Sequence, residues 1–212
     1  MSDLHLASRS ALHGIAVPSR YGRLDGAPGV ALSERVDLGL ATVAARKGKA
    51  AALAAAVRTA YGTGLPSDST VATGPRVAFM GTAPGQWFAV SETLANGALA
   101  NDLTARLAGL ASITDQSDGR AVVRIAGPRA REVLAKGLPI DLHPGVFRTG
   151  SAATSTISHM GVQIWQADDA PTYDIAVFRG FAGSFLRWIT SSAAEFGYTV
   201  ESGGHSRDPA SA

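Results

Sequence analysis

Residues 115–147 read Asp115-Gln-Ser-Asp-Gly-Arg-Ala-Val-Val-Arg-Ile-Ala-Gly-Pro-Arg-Ala-Arg-Glu-Val-Leu-Ala-Lys-Gly-Leu-Pro-Ile-Asp-Leu-His-Pro-Gly-Val-Phe147. Val122, Val123 and Ile125 make a strand, with Arg120 and Arg124 alternating onto a polar face. Gly127 permits a sharp turn, and Pro128 sits where a first helical residue tolerates a missing N–H. Ala130, Val133 and Leu134 give the following helix its buried stripe, and Gly137 closes it. A strand, a tight turn and a short helix open a β-α unit.

Downstream, strands at 156–166 and 172–178 are joined by the turn Asp168-Asp169-Ala170-Pro171. The last helix carries Phe181, Phe185, Trp188, Ile189 and Phe196 on one face and stops at Gly197, before a short strand at 198–201. Upstream, Val36, Leu38 and Leu40 alternate with Asp37 and Gly39 as a half-buried strand. A helix with Leu53, Val57 and Tyr61 in line ends at Gly62, and apolar runs at 76–80 and 86–90 flank a hairpin signal, Gly81-Thr-Ala-Pro-Gly85. Leu99, Leu103 and Leu107 line a further helix that closes at Gly109, and a strand at 111–115 follows. Both halves therefore read β-α-β-β-α-β, the ferredoxin-like order. The expected fold is α+β: two tandem ferredoxin-like units, 34–118 and 119–201, in one compact body. Residues 1–33, rich in Gly and Pro, read as an extended arm whose Leu12, Ile15 and Val17 could lie on a partner, and 202–212 as a disordered tail.

With 212 residues and a 46% apolar share, the chain can bury a substantial core. No window approaches the roughly 18 apolar residues of a membrane span, and the N-terminus lacks the pattern of a secretory signal. Without cysteine there is no disulfide, no thiolate nucleophile and no cysteine-ligated zinc or iron–sulfur cluster. A cytoplasmic location fits. The net charge of +2 is too small to imply nucleic-acid binding. Arg120, Arg124, Arg129 and Arg131 cluster locally, as a solvated strand face and helix start or as a contact surface for an acidic partner.

No G-x-G-x-x-G follows a strand, no P-loop occurs, and no G-x-S-x-G supports a serine nucleophile. Gly62-Thr-Gly64 follows a helix and reads as a cap and linker. Of the histidines, only His143 and His159 fall within the expected core; His143 reads as a loop residue and His159 as a packed or edge residue of a strand. Asp115, Ser117 and Asp118 suit a turn held by side-chain bonds to backbone N–H groups, with a ligand or partner contact as the other reading. Trp188 reads as core, while Trp87 and Trp165 lie on strands and either pack inside or face a partner. Arg129 and Arg131 beside Gly127-Pro128 leave a weak anion-site reading. No residue is assigned a catalytic, cofactor-binding or metal role.

The 115–147 segment, within a likeness running from about Arg9 to Tyr198, resembles the gamma subunits of heterotetrameric sarcosine oxidase. These are small relatives of the folate-binding aminomethyltransferase (glycine cleavage T-protein) superfamily. Folate-using members carry a catalytic Asp in a segment like Asn-x-x-Asn-x-x-x-Asp. The corresponding stretch here is Trp87-Phe-Ala-Val-Ser-Glu-Thr-Leu-Ala-Asn-Gly-Ala-Leu-Ala-Asn-Asp102. Ser91 and Glu92 stand where the strand ends, so the pattern is broken, and Asn96, Asn101 and Asp102 fall at or within a helix. The folate role is not carried onto Asp102. The resemblance implies a structural, non-catalytic subunit bound to alpha, beta and delta subunits, with neither nucleic acid nor membrane as partner. It places FAD, FMN, NAD, zinc and tetrahydrofolate on those other subunits and none on this chain. The complex would oxidatively demethylate an N-methyl amino acid and pass the one-carbon unit to tetrahydrofolate. The alternative it leaves is a self-contained folate-binding protein of the aminomethyltransferase type.

Overall fold

The computed structural model describes residues 9–202; residues 1–8 and 203–212, including nearly all of the tail expected to be disordered, lie outside the described residues. Two strands come first, β1 (Ser19–Tyr21) and β2 (Val30–Glu34). The first unit then runs β3 (Gly39–Ala45), α1 (Ala50–Tyr61), β4 (Val71–Thr73), β5 (Ala78–Ala83), β6 (Gln86–Ser91), α2 (Ala98–Arg106) and β7 (Ala111–Asp115). Its sheet has the order β4-β5-β6-β3-β7, with all neighbours antiparallel. Apart from the short β4 this is the ferredoxin-like arrangement. The leucine stripes drive it: Leu53, Val57, Leu99, Leu103 and Leu107 are fully buried against the sheet. Gly62 ends α1 in the left-handed conformation, at φ 66°, and donates its N–H to Arg58 O at 3.0 Å.

The second unit runs β8 (Arg120–Ala126), α3 (Ala130–Ala135), β9 (Ala152–Ile157), β10 (Met160–Asp168), β11 (Thr172–Phe178), α4 (Ala182–Ala193) and β12 (Tyr198–Val200). A plain ferredoxin-like unit would set β12 beside β8. Here β2 lies between them, antiparallel to β8 and parallel to β12, in a seven-stranded sheet ordered β1-β12-β2-β8-β11-β10-β9. The expected 1–33 arm is therefore corrected: residues 30–33 belong to a central strand, β1 pairs with β12, and Leu12, 2% exposed, packs into this unit's core. Ile15 and Val17 remain exposed.

Two further expectations change. The single strand at 156–166 is a hairpin, β9 to β10, turning at Ser158 and His159 with φ of 46° and 67°. Turns of this hand favour Gly and Asn, so nothing in Ser-His announced it, and His159 is an exposed turn residue rather than a strand one. Phe181 lies in the short turn ahead of α4 and is exposed, while Phe185, Ile189 and Phe196 are buried.

Each sheet presents one face to its own helices. The opposite faces meet. Leu40, Met80, Phe88 and Val90 of the first sheet pack with Val122, Ala152, Trp165 and Ala176 of the second in one apolar cluster. The layers thus run helix, sheet, sheet, helix. The sheets are also stitched at one edge, where Ala152 N–H donates to Ser69 O at 3.2 Å and Val71 N–H to Gly150 O at 2.9 Å.

Candidate functional site

Arg124 on β8 stands directly across from Asp174 on β11, with both side chains on the face that meets the first sheet. The guanidinium closes on the carboxylate as a fork: Nε donates to Oδ1 at 2.7 Å and Nη2 to Oδ2 at 2.7 Å. Arg35, from the segment after β2, reaches the same carboxylate with Nη1 at 3.5 Å. It also donates to both oxygens of Asp37 at 2.8 Å and to Glu92 Oε1, just past β6, at 2.8 Å. Its hydrogen bond to Asp37 raises the Arg35 pKa against the opposing effect of burial, and the same bond holds the Asp37 carboxyl below its usual range. The Asp174 side chain is only 3% exposed. Buried charges persist where they are paired, and this network ties the entering segment, the second sheet and the end of β6 into one seam.

Two clefts flank the seam. One, of about 430 Å³, is bordered by Arg76, Glu92, Arg124, Trp165, Gln166 and Asp174. In its wall Gln166 is buried; its amide donates to Asp168 O at 2.8 Å, while Oε1 has no hydrogen-bond partner. The other, of about 320 Å³, is bordered by Arg9, Glu34, Arg35, Ser117, Arg120 and Arg179. Here the Glu34 carboxylate accepts the backbone N–H groups of Ala11 at 3.0 Å and Leu12 at 3.3 Å, fastening the entering chain.

The residues singled out in the sequence divide between structure and seam. Asp115 Oδ1 accepts from the Ser117 N–H at 2.9 Å and its hydroxyl at 2.8 Å, and Ser117 Oγ accepts from Leu40 N–H at 3.1 Å. These bonds fix the crossover from β7 to β8 on β3. Asp115→Ala is expected to lower stability by about 1–2 kcal/mol, the scale of such a bond. A melting temperature unchanged by the substitution would show that these bonds do not hold the crossover.

His143 is a loop residue whose Nδ1 accepts from Gly145 N–H at 3.1 Å. Trp87 donates its indole N–H to Pro66 O at 2.7 Å and is buried in the first unit; Trp165 is buried in the seam. Trp188 is half-buried against the second core. Asp102 lies on α2 in the outer helix layer, accepting from Tyr61 Oη at 2.8 Å and Arg106 Nε at 2.9 Å. Burial, reinforced by that carboxylate, raises the Tyr61 hydroxyl above its ordinary pKa. The arginine cluster divides between the seam and an exposed helix start. Arg124 is paired across the seam, and Arg129 is held by Glu132 at 2.9 Å and the Phe196 ring at 4.6 Å. Asp174, Arg35 and Glu34 were not legible as site residues. The available signal was a lone acid in the apolar run Thr172–Phe178.

The family model for the sarcosine oxidase gamma subunit matches residues 46–195. A sarcosine oxidase subunit gamma from Arthrobacter sp. is 32% identical over 148 residues, covering 67% of this chain and 70% of the relative. The subunit gamma of Corynebacterium sp. strain U-96 is 30% identical over 204 residues, covering 92% of this chain and 95% of the relative. Among solved structures, a chain of the heterotetrameric sarcosine oxidase from Corynebacterium sp. U-96, in complex with pyrrole 2-carboxylate, superposes with a TM-score of 0.75 at 26% identity. That match covers 89% of this chain and 96% of the other. Glycine cleavage system aminomethyltransferase T from Bartonella henselae gives a TM-score of 0.59 at 14% identity, covering 84% of this chain and 48% of that one, which is a likeness of fold.

Proposed function

The chain belongs to the sarcosine oxidase gamma subunit family, and from that premise we propose that it is the structural, non-catalytic subunit of a heterotetrameric sarcosine oxidase-type complex. The observation that carries this reading is the near full-length likeness to a chain of such a heterotetramer, which leaves little of either chain unmatched. Alpha, beta and delta subunits are the partners in this reading. FAD, FMN, NAD, zinc and the tetrahydrofolate that takes up the one-carbon unit reside on them, and the reaction is oxidative demethylation of an N-methyl amino acid. The assembly works in the cytoplasm; among the described residues no helix is long and apolar enough to cross a membrane. The seam supports a scaffold role, since its charged groups are largely spent on one another: Arg124 and Arg35 on Asp174, and Arg35 on Asp37 and Glu92.

Produced alone, the chain is expected to be colourless, to show no sarcosine oxidation and to bind no folate tightly. Produced together with the three partner subunits it should co-purify with them. A stoichiometric flavin absorbance on the isolated chain, or sarcosine turnover by it, would overturn the reading. Tight folate binding by the isolated chain would favour the self-contained aminomethyltransferase-like alternative.

A further inference from the structure

Arg9, Arg120 and Arg179 border the cleft beside the β7–β8 crossover, and among the described residues none of them has a carboxylate within ion-pair distance. Arg120 is the most committed of the three. It shares a face of β8 with Arg124, but its cross-strand neighbour is Phe178 rather than an acid. Its guanidinium carbon lies 3.6 Å from the centre of the Phe178 ring and 6.0 Å from that of Phe88. Its Nε is buried with no hydrogen-bond partner, and burial lowers its pKa. Phe178, which covers it, is 48% exposed. Arg179 is held at the same rim by donating to the backbone carbonyl of Arg9. One acid in the wall, Glu34, is already engaged by the Ala11 and Leu12 N–H groups.

A guanidinium stripped of water on one side and left without a counter-charge is costly to the chain that carries it. The cost is relieved if an anion enters from the open side. We propose that this cleft is a docking socket for an acidic side chain of a partner subunit, its carboxylate seated on Arg120 and Arg179 with Phe178 as the apolar rim. The inference rests on the reading of this chain as a subunit of a complex. The planar fork of arginine matches a carboxylate, and arginine with an exposed aromatic is the composition of an interface hot spot. Asp115 and Asp118 also border the cleft, so its lining carries acids as well as arginines, which suits a single carboxylate better than an extended polyanion such as a nucleic acid.

The test uses Arg120→Met, which keeps the aliphatic stem over Phe178, and Arg179→Gln as a second variant. Binding of the full chain to immobilised partner subunits is measured at low and high salt, beside the melting temperature of each free variant. Arg120→Met should weaken binding by about tenfold to a hundredfold and flatten its salt dependence. Arg179→Gln should act in the same direction. The free Arg120→Met chain should melt no lower than the unaltered one, because it loses an unpaired buried cation. Unaltered affinity in both variants would overturn the socket while leaving the complex intact. A lower melting temperature for free Arg120→Met would also overturn it, by showing that contacts within this chain, the Phe178 ring among them, already offset the burial of Arg120. Failure of the unaltered chain to bind the subunits would overturn the parent reading, and the socket with it.

Discussion

Asp174→Ala is expected to lower the stability of the folded chain by about 2–4 kcal/mol, somewhat below the full cost of orphaning a buried charge because Arg124, the charge left behind, is 30% exposed. For a chain of this size that corresponds to a fall in melting temperature on the order of 10 °C. Asp174 is 2% exposed and takes the paired donors of Arg124 at 2.7 Å each. Arg35 would keep Asp37 and Glu92, so Arg124 bears most of the loss. The double replacement Arg124→Met with Asp174→Leu should recover much of the stability, because removing both charges also removes both desolvation costs. Thermal melts of the three proteins decide the matter. A single variant within about 1 kcal/mol of the unaltered protein would place the pair with ordinary surface ion pairs, which contribute little.

The helices were legible because each writes its buried face locally. Leu53, Val57 and Tyr61, then Leu99, Leu103 and Leu107, recur at helical spacing ahead of a glycine that accepts a left-handed conformation. The β-α-β-β-α-β order followed from them. What failed was pairing at long range. Val30-Ala-Leu-Ser-Glu34 alternates cleanly, and Val30, Leu32 and Glu34 are buried, but Gly26, Pro28 and Gly29 ahead of it read as loop. Its partners are β8 and β12, far along the chain, and no local pattern names them. Gly29 and Gly127 show the same limit: a Cβ on Gly127 would lie 2.7 Å from Gly29 O, so two apparent turn residues serve one close backbone contact.

The seam was half legible. Arg120 and Arg124 alternate with Val and Ile as expected, yet the polar face of an alternating strand is ordinarily read as the wet one. Here a second sheet covers it. Arg124 was visible as a residue but not as a buried partner, because Asp174 lies in an apolar run and joins it only through β8–β11 pairing. Trp165 buries into that same seam, which accounts for an indole on a strand without any partner chain.

Deleting residues 1–33 is expected to abolish cooperative folding rather than merely undock the chain from other subunits. The deletion removes β1 and nearly all of β2, so β12 loses both of its neighbours and β8 loses its pairing at Ala126, Ile125 and Arg124. It also takes Leu12, Val30 and Leu32, each at most 2% exposed, out of the second core. Truncating one such buried leucine to alanine costs about 2–5 kcal/mol, so losing these side chains together with a central strand rivals a total stability of about 5–15 kcal/mol. The family model begins only at residue 46 and by itself would leave this segment dispensable. The sheet order says otherwise. Circular dichroism melts of the shortened chain should show no cooperative transition, whereas Leu32→Ala alone should retain one at a lower temperature. A shortened chain that melts like the full one and loses only its partners would mean that 1–33 is a docking arm after all, and that β8 can pair directly with β12.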